Sequence, residues 1–192
     1  MPSDGTKVQE DLGRTLFERG IAPRPGRGPA PVECWEPPCC GDIGLKICAD
    51  GVWLYQGSPI RREALVTLFA SVLRKDVDGR TYLVTPVEKV EVAVDDAPFL
   101  AVAMEVKGEG CHQDLVFTTN VGDVVVCGPS HPLRFAEQEP GHGLKPYVLV
   151  RGRLEALLTR SLTFDLVALA SGDAAEGGHR AGIWSGGAFF PF

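Results

Sequence analysis

The sequence lacks the short signatures of the common chemistries. There is no GxxxxGK, and the nearest shape, Gly172 to Gly177-Gly178-His179, carries neither the lysine nor a preceding strand. No GxGxxG follows a strand, and Gly182-Ile183-Trp184-Ser185-Gly186 spaces its serine wrongly for a nucleophile elbow. HExxH and EF-hand loops are absent. The six cysteines form no CxxC, and Cys34, Cys39 and Cys40 have no histidine near them in sequence, a pattern of ordinary thiols rather than zinc. Positive charge is scarce, with 19 Lys plus Arg against 25 acids and a net charge of −6. Such a field opposes a phosphate backbone, and no basic arm or polybasic patch offsets it, which argues against nucleic acid and phosphoinositide surfaces. No run approaches the roughly 18 apolar residues of a membrane span.

What is present is ordinary globular material. The 192 residues are 44% hydrophobic and 23% charged, enough for one large or two small domains without disulfides. The N-terminus, MPSDGTKVQEDLG, lacks the charged-then-apolar pattern of a secretory signal. The chain is therefore read as cytoplasmic, with reduced thiols. Cys48 and Cys127 lie in apolar runs, whereas Cys39-Cys40 sit in a Pro/Gly-rich stretch open to redox chemistry.

Residues 6–20 place Val8, Leu12, Leu16 and Phe17 on helical spacing, stopping at Gly20. A strap dense in Pro and Gly follows, pinned at its far end by Val32 and Trp35, and the folded body starts near Asp42. Two short strands flank the Ala-Asp-Gly turn at 49–51. A helix opens after Ser58-Pro59, carries Leu65, Leu68, Phe69, Val72 and Leu73 on one stripe, and ends before Asp78-Gly79. TYLVTP, VEKVEVAV, FLAVAMEVKG, CHQDLVFTTN and VGDVVVCG read as strands, and 128–146 as a long irregular loop. PYVLVRGRLEALLTRSLTFDLVALASG ends as a strand running into a helix. The tail, GGHRAGIWSGGAFFPF, is too rich in glycine for a helix, yet its Trp184, Phe189 and Phe190 require cover.

A repeat accompanies these elements. Residues 84–99 align without gaps to 118–133, matching Thr85/Thr119, Val87/Val121, Val90/Val124, Val92/Val126 and Pro98/Pro132. Alternating valines come cheaply in strands, but threonine and proline at fixed distances do not. A second parallel is a strand followed by Arg61 opening one helix and Arg160 opening another. Two packed α+β halves are expected, since two copies cannot make a solenoid.

Polar residues where strands end are the candidates for function: Thr85, Glu88 and Lys89 in the first copy, Thr119, Asn120 and Asp123 in the second. Arg61, Arg151 and Arg160 are forked cations able to grip phosphate or carboxylate. Against this, arginines at strand–helix junctions commonly tie loops through internal ion pairs. Trp53, Tyr55, Phe99 and Trp184 are able to wall a flat ligand. His131, before Pro132, has the chemistry of an acid/base, although a loop-pinning histidine is the plainer reading. Adjacent Asp95-Asp96 point to opposite faces of a strand and suit a turn better than a shared proton.

The order of DGVWLYQGSPIRR, a helix ending in LF, YLVTPVEK, DDAPF, TTNVGD, HPLR, PYVLVRGRLEA and GIWSGG resembles the proteobacterial domain-of-unknown-function family numbered 1285, from about Trp35 to Phe190. The resemblance implies two β-rich α+β domains with a duplicated core, the C-terminal one superficially pleckstrin-homology-like. It implies a nucleotide-based ligand at the domain interface and a role in signal transduction, with no catalytic residues to transfer. The expected division is residues 1–33 for the helix and strap, 34–97 for an N-terminal α+β domain and 98–192 for a C-terminal one. Motif positions suited to ligand contact are Trp53, Tyr55, Arg61, Thr85, Glu88, Lys89, Phe99, Asn120, His131, Arg151, Arg160 and Ser185. Three functions compete: a non-catalytic sensor of a nucleotide-like or other anionic small molecule, without metal or cofactor; a protein-interaction domain using a sheet edge or the aromatic tail; and a hydrolase using His131 with Glu88 or Asp123.

Overall fold

The structure is a computed structural model that describes residues 30–137, 143–172 and 181–192. The expected helix at 6–20, most of the strap, His142 and His179 lie outside the described residues. The chain divides between Asp96 and Ala97 into two units, and both are β-rich.

In the first unit a 3-10 turn at Val32–Cys34 leads into β1 (Cys39–Ile47), β2 (Trp53–Tyr55) and β3 (Ser58–Pro59). Helix α1 (Glu63–Ser71) is followed by β4 (Leu73–Lys75), β5 (Thr81–Val84) and β6 (Lys89–Val94). Leu65, Leu68, Phe69 and Ala70 form the buried face of α1, and Leu45, Ile47, Trp53, Leu83 and Val92 are among the buried apolar residues of the sheet strands. The strap ends three residues earlier than expected, because Cys39 pairs beside Lys89; the register slips around Gly41 and Gly44 disguise the strand. The helix is also shorter than its apolar stripe. Val72 and Leu73 stay buried, but Leu73–Lys75 pair with Thr81–Leu83 as a hairpin. The Asp76–Arg80 turn closes it through Asp76 N–H to Arg80 O at 3.0 Å, so tertiary pairing overrides the helical pattern.

The second unit holds β7 (Phe99–Lys107), a 3-10 turn at Gly110–His112, β8 (Asp114–Thr119), β9 (Val124–Val126), β10 (Leu133–Glu137), β11 (Leu144–Arg151) and β12 (Leu154–Leu158). Then come α2 (Arg160–Ala168), β13 (Ser171–Gly172), β14 (Ala181–Ser185) and β15 (Ala188–Pro191). The supposed irregular loop at 128–146 contains β10, paired with β11 over Leu133↔Val148 to Glu137↔Leu144. Short and flanked by Pro and Gly, this strand is held partly by a distant partner, Phe192, whose ring meets Phe135 edge-on at 5.1 Å. The tail is the β14–β15 hairpin turning at Gly186-Gly187. Trp184 covers Phe189 at 5.2 Å, and Phe190 is buried.

Beside the three-stranded β13-β14-β15 sheet, the two six-stranded sheets have one plan. Their orders are β3-β2-β1-β6-β5-β4 and, counted from the other end, β9-β8-β7-β12-β11-β10. The central pair of each, first strand beside sixth, is parallel, and every other pairing is antiparallel. The duplication therefore lies in the strands. It does not extend to the helices, since α1 follows the third strand of its unit and α2 the sixth. Nor does it coincide with the repeat in sequence: Thr85 turns the fifth strand into the sixth, whereas Thr119 turns the second into the third. The two segments share turn chemistry instead. Thr85 N–H donates to Glu88 O and its hydroxyl accepts from the Glu88 N–H; Thr119 N–H donates to Asp123 O and its hydroxyl accepts from the Asp123 N–H. Among the described residues no helix is long and apolar enough to cross a membrane.

Candidate functional site

The sequence-predicted residues fall into two groups, one per unit. In the first, Lys89 Nζ lies 2.8 Å from Asp76 Oδ2 and 4.5 Å from the centre of the Tyr82 ring. Asp76 also receives Arg74 Nε at 2.6 Å. Arg74, 4% exposed, turns its Nη1 to the carbonyls of Val32 at 2.7 Å and Trp35 at 2.6 Å. Burial alone would raise the Asp76 carboxyl, but the hydrogen bonds from Arg74 and Lys89 outweigh it and hold the group below its ordinary value. The same contact with Asp76 raises Lys89. Lys89 is thus committed to an internal network, and Arg74 and Asp76 are the residues that sequence reasoning missed. Their only signal was the RKDVDG run, taken there as a helix end.

Thr85 is buried and shapes its turn, while the Glu88 carboxylate accepts the Cys40 thiol at 3.9 Å. Trp53 and Tyr55 are core residues rather than an open wall: Trp53 packs on Phe69 with ring centres 6.1 Å apart, and the Tyr55 oxygen accepts from Gln56 Nε2. Arg61 is exposed.

In the second unit, Phe99, Asn120 and Arg151 come together at one end of the sheet. The Arg151 guanidinium stands 4.9 Å from the centre of the buried Phe99 ring and binds Asp123. Asn120 clasps Leu100, its side-chain oxygen accepting the Leu100 N–H at 3.0 Å and its own N–H donating to the Leu100 carbonyl at 2.8 Å. His131 Nδ1 meets the Leu149 carbonyl at 3.0 Å, so the contact of its ring is with main chain, and the Asp123 carboxylate is held by Arg151. Ser185 is fully buried. It accepts the Leu115 N–H at 2.9 Å and donates to the Cys127 carbonyl at 2.8 Å, locking β14 to the ends of β8 and β9. Arg160 is exposed, its guanidinium 5.7 Å from the ring centre of Phe164.

Two cations of the predicted set therefore stand apart from these networks, and both sit where a helix begins. Arg61 and Arg62 lead into α1, whose first turn has no side-chain cap; Arg160 is the first residue of α2, also without one. Free main-chain N–H groups and the positive end of the dipole attract anions at such places, and a cation there is unfavourable by itself. Among the described residues, no three His, Cys, Asp or Glu side chains are grouped so as to hold a metal ion.

Comparison with known proteins gives consistent matches. Residues 30–97 match the N-terminal domain of DUF1285, described as a domain of unknown function, and residues 98–192 match the C-terminal domain of the DUF1285 protein of unknown function. The crystal structure of a DUF1285 family protein from Silicibacter pomeroyi DSS-3 is 46% identical, with a TM-score of 0.82, covering 92% of this chain and 93% of that one. A DUF1285 family protein from Shewanella baltica OS155 is 29% identical, with a TM-score of 0.52, covering 66% of this chain and 91% of that one. Among curated proteins nothing matches.

Proposed function

The chain belongs to the DUF1285 family, and on that premise we propose that it is a non-catalytic binding protein for an anionic small molecule of nucleotide type, held at a helix N-terminus within one unit, by Arg61 at α1 or by Arg160 at α2. The observation that carries this reading is the pair of uncapped helix N-termini, each led by an exposed arginine. A phosphate at either place satisfies the free N–H groups, offsets the guanidinium charge and removes the conflict with the dipole. Arg151 differs, because Asp123 already neutralises it. Phe164, 64% exposed beside Arg160, offers a face on which a base stacks.

Binding without turnover suits a sensor, which is the support for placing the protein in signal transduction. Six strands followed by one helix support reading the second unit as pleckstrin-homology-like. Four exposed thiols, at Cys34, Cys39, Cys40 and Cys111, suit the reducing cytoplasm.

Thermal-shift measurements against nucleotides, dinucleotides and cyclic dinucleotides test the proposal. A ligand at 100 times its Kd stabilises the fold by about 2.7 kcal/mol, a shift of a few degrees. Arg61→Ala or Arg160→Ala is expected to weaken that response at least tenfold in ligand concentration. No shift with any member, or a shift that both variants retain unchanged, overturns the assignment.

A further inference from the structure

Asp-Gly occurs twice among the described residues, at 50–51 and 78–79, and the two turns that carry it are built alike. Cys48 N–H donates to Val52 O at 2.9 Å, and Asp76 N–H to Arg80 O at 3.0 Å. Inside each turn the glycine N–H donates back, Gly51 to Cys48 O at 2.9 Å and Gly79 to Asp76 O at 3.1 Å. The two glycines adopt φ +80° and +83°. Each aspartate accepts the N–H two residues on, Asp50 Oδ1 from Val52 at 3.0 Å and Asp78 Oδ1 from Arg80 at 2.9 Å. Both aspartates are exposed.

The turns differ at the second carboxylate oxygen. Asp78 Oδ2 accepts the Tyr82 hydroxyl at 2.9 Å, from a side chain that is 5% exposed and set in β5. The position four residues after Asp50 is Leu54, which has no donor to offer.

An aspartate before glycine is open to attack by the glycine's main-chain nitrogen, because no Cβ shields that nitrogen. The nitrogen bonds to the aspartate Cγ, its proton and the carboxyl hydroxyl leave as water, and a five-membered succinimide remains. Water then opens the ring at the α-carbonyl. The main chain now runs through Cγ as an isoaspartate, one methylene longer and unchanged in overall composition. The first step needs a protonated carboxyl that turns towards the amide. At Asp78 both needs are opposed. The Arg80 N–H and the Tyr82 hydroxyl hold that carboxyl below its ordinary value, and turning it breaks two hydrogen bonds where Asp50 breaks one.

We propose that Asp50 is a site of isoaspartate formation in the folded chain, and that the Tyr82 hydroxyl guards Asp78 against the same change. The product lengthens the β1–β2 turn next to the Ile47↔Trp53 pair. It also sets a free α-carboxylate on an exposed turn, the group that a carboxyl methyltransferase using S-adenosylmethionine esterifies on isoaspartyl chains. The inference is independent of the anion reading, since neither turn includes Arg61 or Arg160.

Peptide mapping of the full chain aged at neutral pH, with electron-transfer fragmentation to separate isoaspartate from aspartate, tests this. Isoaspartate is expected to build up at residue 50 several times faster than at residue 78, and the difference to vanish when the chain is aged unfolded in urea. Tyr82→Phe keeps the ring under Lys89 and is expected to raise the rate at residue 78 towards that at residue 50, which itself stays unchanged. No isoaspartate at residue 50, or equal rates at the two sites in the folded parent, overturns the proposal. A ratio that persists in urea does the same, because flanking sequence then decides, and so does a Tyr82→Phe chain in which Asp78 remains as protected as before.

Discussion

Arg74 Nη1 donates to the main-chain carbonyl of Val32 at 2.7 Å, across forty-two positions of sequence. One buried guanidinium thereby joins the edge of a sheet to the segment that precedes it. Replacing Arg74 with methionine keeps the bulk but leaves the Val32 and Trp35 carbonyls without that donor and Asp76 with Lys89 but without its guanidinium partner. The expected loss is about 3–5 kcal/mol, as for other broken buried charge networks. Urea unfolding measures it, and limited proteolysis is expected to cut near residues 30–38 in the variant before the rest of the chain is touched.

Asp76 gives the fold an acid-sensitive contact. Its carboxyl lies below the ordinary value of 3.8 in the folded state, so the folded chain binds fewer protons there than the unfolded one. The stabilisation is fully present above that ordinary value and fades as pH falls through the folded one. Urea midpoints measured from about pH 6 to about pH 2.5 are expected to fall more steeply for the parent than for Asp76→Asn, which is less stable at neutral pH.

The tail hairpin tolerates side chains unequally. A Cβ on Gly182 would lie 2.5 Å from Phe189 Cζ and 2.6 Å from the Phe190 carbonyl, whereas one on Gly187 meets nothing within 4 Å. Gly187 has φ +72°, so alanine there strains only the backbone, at about 1–2 kcal/mol. Gly182→Ala adds overpacking of about 1–3 kcal/mol that a rigid hairpin cannot relieve. Thermal unfolding is expected to rank Gly182→Ala as the less stable of the two.

The six thiols separate by burial. Cys34, Cys39, Cys40 and Cys111 are exposed and Cys48 partly so, whereas Cys127 is buried, with its thiol pushed up to about 11. Ellman's reagent at neutral pH is expected to react quickly with the four exposed thiols and with Cys127 only after unfolding. A fast reaction at Cys127 in the folded protein would show that β14 does not seal it.

Local pattern was legible where local chemistry decides. The Ala-Asp-Gly hairpin was readable because Gly51 adopts φ +80° and Asp50 accepts the Val52 N–H within the turn itself. The β-rich composition and the strands around Val90, Phe117 and Val148 showed in their alternation. β4 and β10 did not show, because their pairing is decided by Tyr82 and Val148 on neighbouring strands, by the Arg74 bond to the Trp35 carbonyl and by Phe135 against Phe192. The repeat exposed a shared threonine turn, but the shared sheet plan lies in which strands pair, and nothing in a single sequence reports that. Lys89 and Arg151 were found as cations, yet their partners Asp76 and Asp123 lie 13 and 28 positions away. From sequence they looked available, and in the fold they are occupied.

The parallel central pair of each sheet has a consequence for the order of folding. Each six-stranded sheet joins its first strand to its sixth, so neither is complete until that sixth strand, β6 or β12, has been synthesised. A nascent chain holds β1–β3 as an isolated hairpin ribbon, with the face of Trp53 open, until β6 arrives to close the middle; β7–β9 wait in the same way for β12. Closure is a long-range event in both cases, which makes folding slow compared with a meander of the same length and leaves half-sheets exposed in the interval.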